Sequence, residues 1–333
     1  MRLIRPLQIL FFIFILQLYA CHPSSVPRTN PHTLIVLQLD TTGFYKHPGE
    51  SNLANIRFLA KKTAVVLRQR LIKMGIEDNN MEFKDTNNLI TFKLWQPEAD
   101  SVDLSRIRKI VQSTFNLGFW ETYKAKRVFA FLFEPGNTYE YDSLKSIQSQ
   151  LFRLLRIQFT IDQNRITREI PENQAALGSA YANDTSQINT LLRKFILPRD
   201  MHFLWGKKQK ESSDLIELYV AKGTEPALYN PSFLDVHSGP GNEGSGSYEI
   251  AFKMDESGAL KWKRLTGANL EQFIAMTIDN QVYFCPIVKN EIPNGRCTIS
   301  GSFTKSEASD FAALLSAGGL PAPLHIVEEK IEK

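Results

Sequence analysis

The sequence predicts an α+β fold made of a base of antiparallel sheet and helices, with an α+β head subdomain inserted into it. Three observations carry the expectation. Over residues 33–123, apolar strand patterns and amphipathic helices follow the order strand, helix, strand, strand, helix, strand, which is a ferredoxin-like arrangement of two helices on one sheet. Over residues 258–327 a second run reads helix, strand, strand, helix, strand. At 333 residues and 43% hydrophobic content, the chain is long enough to bury a sizeable core.

In the base, Thr33–Asp40 (TLIVLQLD) reads as a buried strand. Leu53–Met74 carries apolar or small residues at Leu53, Ile56, Ala60, Ala64, Leu67, Leu71 and Met74, with Arg57, Lys61, Arg68 and Lys73 between them, which is helical spacing. Gly75 ends that helix. Met81–Lys84 and Leu89–Trp95 flank a turn, Leu104–Phe115 is a second amphipathic helix, and Phe119–Tyr123 is expected to complete the base sheet. Val128–Phe133 reads as an apolar strand and Ser143–Ile157 as a helix.

Farther along, Gly258–Leu265 has a helical pattern. Ala275–Ile278 and Gln281–Val288 are strands joined through Asp279-Asn280. Thr304 with Glu307 has the capping-box spacing that opens a helix over Thr304–Leu315, and Gly318-Gly319 stops it. Leu324–Val327 is the last strand, followed by a charged tail.

The amino terminus has the pattern of a secretory signal: Arg2 and Arg5, then an apolar run from Leu7 to Leu18 too short for a spanning helix. Leu18-Tyr19-Ala20-Cys21 resembles a bacterial lipobox, which implies lipid attachment at Cys21; ordinary signal cleavage near Cys21 is the alternative. His22–His32, with Pro23, Pro27 and Pro31, suits an extended tether. Without Arg2 and Arg5 the net charge falls from +4 to +2, so nothing calls for nucleic acid.

Several spaced motifs then converge: Leu265-Thr266-Gly267, Asp279-x-x-Val282-Tyr283, Asn290-Glu291-Ile292-Pro293, Ile299-Ser300-Gly301-x-Phe303-Thr304 and Gly319-Leu320-Pro321-Ala322-Pro323. Together they resemble the large periplasmic domain of the SecD and fused SecDF protein-export family. Val66–Arg70, Gly75-Ile76 and Phe119–Tyr123 resemble the base of that domain. The amino-terminal pattern gives a signal peptide over 1–20 and a lipidated tether over 21–32, and the family resemblance implies a first part of the base over 33–124 and a divergent insertion over 125–187. The head then covers 188–297, and 298–333 returns to the base and ends in the charged tail. The lipobox implies a lipoprotein of the bacterial envelope, and the family resemblance implies that it faces the periplasm and binds unfolded or emerging exported proteins, with Sec translocon subunits and full-length SecDF as further partners. The alternative is a non-catalytic envelope scaffold that reuses the fold.

No enzyme or cofactor is expected. The six histidines lack metal-ligand spacing, and Asp235, His237 and Ser238 read as a polar turn rather than a triad. Gly239–Gly246 lacks the ending of a phosphate cradle. Trp262, Phe273, Tyr283 and Phe284 are the candidates for holding unfolded chain, against the plainer reading that they pack the core. Cys285 and Cys297 lie symmetrically about the Asn290–Gly295 turn, as a cross-strand disulfide or as two reduced thiols.

Overall fold

The structure is a computed structural model that describes residues 32–40, 53–86, 88–95, 104–133, 141–161, 168–208, 214–241 and 247–332. The signal segment, Cys21, the tether up to residue 31 and the glycine-rich stretch 242–246 lie outside the described residues. In chain order the elements begin β1 (His32–Leu39), α1 (Leu53–Lys73), β2 (Met81–Thr86), β3 (Leu89–Trp95), α2 (Leu104–Gln112), β4 (Leu117–Glu121), α3 (Ala125–Phe133) and α4 (Tyr141–Leu154). There follow β5 (Thr160–Ile161), β6 (Arg168–Glu169), β7 (Gly178–Tyr181), α5 (Thr185–Leu192), β8 (Met201–Trp205), β9 (Leu215–Lys222), β10 (Leu228–Tyr229) and β11 (Phe233–Pro240). The last are β12 (Tyr248–Met254), α6 (Glu256–Ala268), β13 (Ile274–Ile278), β14 (Gln281–Phe284), β15 (Arg296–Phe303), α7 (Lys305–Ala317) and β16 (Leu324–Glu332).

The base is an antiparallel sheet in the order β16-β1-β3-β2. Its strands earn their places by alternation: Ile90, Phe92 and Leu94 on β3 are buried, and they meet Leu67 and Leu71 of α1 and Ile107 and Val111 of α2. Each such side chain contributes about 1.5–3 kcal/mol on burial. The expected fourth strand is corrected here. Phe119 and Trp120 belong to β4, which lies between β10 and β13 in a different sheet, and the edge beside β1 is taken by β16. Alternation shows that a segment is a strand but not which sheet receives it. β16 also runs through most of the expected charged tail, with Glu328 opposite Val36 and Glu332 opposite His32, and Glu329 is held by Arg108 at 2.6 Å.

The sheet β10-β4-β13-β14 and the sheet β11-β12-β15 share one core with α6 and α7, centred on Phe119, Phe252, Ile274, Met276 and Phe311. β15, which lies almost wholly in the segment expected to return to the base, pairs with β12. Thr304 and Glu307 form the full reciprocal capping box at the start of α7. A third core joins α3, α4 and α5 to the sheet β7-β9-β8, through Val128, Leu151, Ile188, Leu191 and Leu218. Val128–Phe133 is thus helical rather than extended. Ala125, Val128 and Leu132 recur on one buried face of α3, and a continuous apolar run does not reveal that period by eye.

Base and head meet at a polar joint. Arg70 of α1 is fully buried and donates through Nη1 to the carbonyls of Ile110 (2.9 Å) and Ser113 (2.6 Å), and through Nη2 to that of Gly318 (2.8 Å). It thereby satisfies carbonyls at the ends of α2 and α7 that have no helical partner. Burial pushes its pKa down to about 10, so it still carries its charge at neutral pH. On the head side, Asp279 accepts from the backbone N–H groups of Phe115 (3.2 Å) and Asn116 (2.9 Å) and from the Thr114 hydroxyl. Phe115 (φ 56°) and Asp279 (φ 49°) both have left-handed backbone, a strained choice for a bulky side chain that these bonds hold in place.

Candidate functional site

A groove of about 510 Å³ opens where α2, α7, β14, β15 and the segment after β8 converge. Its floor is aromatic. The Phe284 ring lies 5.7 Å from Phe303 and 6.4 Å from Phe311, and Tyr283 lies 6.0 Å from Phe311. Two sheet ends bring these rings together: β14 terminates one sheet and β15 terminates the other. The outer side of β14 is bridged by Gly206, with the Lys207 N–H donating to the Val282 carbonyl at 2.8 Å. Ser300 and Gly301 of β15 line the groove as well.

The walls carry charge of both signs. Lys109, Lys207 and Lys208 stand on the groove with Glu217, Glu307 and Asp310. Lys207 Nζ lies 4.8 Å from the centroid of the Tyr283 ring, a cation–π contact, and burial followed by the nearby Lys109 charge lowers its pKa. Burial, with a smaller push from Asp279, raises the Tyr283 phenol. The Tyr219 hydroxyl donates to Glu217 at 2.5 Å and its pKa is raised, mainly by burial. Glu307 is held below the usual carboxylate range, chiefly by the Thr304 backbone N–H, and Asp310 accepts from Arg106 Nε at 3.0 Å.

The four candidate aromatic residues separate. Tyr283 and Phe284 are half-buried in the groove. Trp262 and Phe273 are corrected to core positions: Trp262 is buried 4.9 Å from the Phe119 ring, and Phe273 is buried with its carbonyl accepting from Thr122 Oγ1 at 3.0 Å. Cys285 and Cys297 are free thiols packed against different cores, Cys285 beside Trp120 and Val282, and Cys297 beside the cluster that contains Trp262. Burial pushes them up to about 12 and about 11, which keeps both protonated and unreactive. Asp235, His237 and Ser238 lie in the strand β11, not in a turn, with Asp235 and His237 3.6 Å apart and both exposed. Among the described residues no group of His, Cys, Asp or Glu is placed to hold a metal ion.

The sequence reading missed Phe303, Phe311 and Lys207. Phe303 immediately precedes the helix cap Thr304, and that neighbourhood was the available signal. Nothing local reveals that the end of β15 and the middle of α7 close over β14.

Comparison with known proteins adds a family to this geometry. Residues 208–322 match the model described as SecDF, P1 head subdomain. Protein translocase subunit SecD of Rhodothermus marinus is 26% identical over 285 residues, covering 80% of this chain and 45% of that protein. The SecD subunit of Desulfurispirillum indicum is 36% identical over 175 residues, 51% of this chain and 29% of that protein. A crystal structure of SecDF in its super-membrane-facing form shares the fold with a TM-score of 0.50 at 20% identity, over 90% of this chain and 30% of that one. The chain spans less than half the length of these curated relatives.

Proposed function

Because the chain carries a periplasmic domain of the SecD and SecDF protein-export family, we propose that it binds unfolded or emerging exported polypeptide in the aromatic groove. In this reading the domain holds its substrate rather than transforming it. The observation that carries the reading is the half-buried ring set of Tyr283 and Phe284 at the end of β14 with Phe303 at the end of β15. Apolar rings accept many side chains with little sequence demand, and a sheet edge can pair with the backbone of any extended segment. Lys109, Lys207 and Lys208 would hold acidic stretches of the same substrate.

In this reading Cys21 carries lipid that keeps the domain at the membrane, and the partners are exported chains, Sec translocon subunits and full-length SecDF. Among the described residues no helix is long and apolar enough to cross a membrane.

The test is equilibrium binding of a fluorescently labelled, unfolded export precursor to the full chain. Replacing Phe284 and Phe303 together by Ser weakens binding by roughly tenfold or more, about 1.4 kcal/mol. Unchanged affinity in a double variant whose circular dichroism is intact would sink the reading and favour an envelope scaffold.

A further inference from the structure

We propose that the outward face of α1 docks on an anionic lipid bilayer. The helix is 21 residues long, its sequence LANIRFLAKKTAVVLRQRLIK contains no acidic residue, and its bases are Arg57, Lys61, Lys62, Arg68, Arg70 and Lys73. Its inward face is complete without the outer one: Ala60, Leu67, Arg70 and Leu71 are buried. On the outer face Phe58, Val65 and Ile72 are 59%, 52% and 40% exposed. A step of seven residues falls about 20° short of two turns, so these side chains form one ridge about 21 Å long. Lys61 borders the ridge on one side, and Lys62 and Lys73 on the other; Arg68, on the Lys61 side, is paired with Asp78 at 2.5 Å. Lys62 Nζ also stands 4.6 Å over the Phe58 ring.

Isolated apolar residues on a surface mean little, but a continuous ridge between two basic rows has a defined complement. Phosphate headgroups match the rows while the acyl boundary takes the ridge, the basic stems lying along the apolar surface. The arginines are used inside the fold, Arg68 against Asp78 and, on the neighbouring helix α2, Arg106 against Asp310 and Arg108 against Glu329, so the basic rows that face outward are those of the lysines. A second copy of α1 would set bases against bases, and a nucleic acid would leave the ridge unsatisfied. The membrane is the occupant that uses both features.

Docking would set the base flat against the bilayer and fix the direction in which the groove faces. The face can be tested whatever anchors the amino terminus, because the probe reads α1 itself. An environment-sensitive fluorescent amino acid is placed at Gln69, beside the ridge, or at Lys84 on β2 as a control, in the full chain reconstituted on vesicles. On vesicles of phosphatidylglycerol and phosphatidylethanolamine, the Gln69 probe is shielded from a water-soluble quencher roughly tenfold more than the Lys84 probe. The shielding falls when salt is raised, when Phe58, Val65 and Ile72 are replaced by Ser, and when Lys61, Lys62 and Lys73 are replaced by Gln. Equal exposure of the two probes on anionic vesicles would overturn the proposal, as would equal shielding on pure phosphatidylcholine. Shielding that needs no lipid and rises with protein concentration would overturn it in favour of an interface between copies.

Discussion

The joint between base and head and the groove beside it use similar residue types to opposite ends. At the joint, Arg70 and Asp279 are surrounded by backbone partners that the turn at 113–116 and the end of α7 supply. In the groove, four and five residues along the chain, Tyr283 and Phe284 follow Asp279 in the same hairpin, yet their rings are only half covered. Lys207 is partly desolvated there and its charged form is disfavoured. Folding alone rewards completing such a surface, so the joint reads as stability and the groove as a site kept open for a partner.

Substitutions can break that contrast. The largest effect is expected at Arg70: Arg70→Met strands carbonyls at the ends of two helices and costs about 3–5 kcal/mol, measured by urea unfolding. Asp279→Ala comes next, at about 2 kcal/mol, since it removes the acceptor for two backbone N–H groups in a left-handed position. Asp279→Asn recovers part of this, because Asn tolerates that backbone. In the groove the order reverses. Phe284→Ser shifts the unfolding midpoint little beside Arg70→Met, while it weakens polypeptide binding. A stability loss at Phe284 matching that at Arg70 would make the groove ordinary core and remove the contrast.

The smallest effect is electrostatic. The folded pKa of Glu307 lies below its ordinary value, so its capping contribution is complete above that ordinary value and is lost as pH falls through the folded one. Glu307→Gln therefore differs from the parent by about 0.5–1 kcal/mol at neutral pH, and the difference closes in acid titrations followed by thermal melting.

How far the sequence could be read followed the range of the interactions. Local devices were plain in it: the Thr304 capping box, the Asp279-Asn280 turn and the period of α1 depend on residues within a few positions of each other. The partner of β1 was not, because β16 lies almost the whole chain away and alternation carries no address. The same gap divided the candidate aromatics. Trp262 and Phe284 look equally apolar in sequence, and only the closure of α6 over β4, and of β15 and α7 around β14, puts one in the core and the other in the groove. The role of Arg70 has no local signal either, since its carbonyl partners come from the ends of two other helices.

Site-specific photocrosslinking in living cells tests the central claim most directly, with the reactive group at Tyr283, Phe284 or Phe303 and, for comparison, at Leu234 and Leu260, which are apolar and exposed away from the groove. Many unrelated exported chains, trapped from the groove positions and not from Leu234 or Leu260, are the predicted result. A single stoichiometric envelope partner at the groove, or equal trapping at all five positions, would contradict the account.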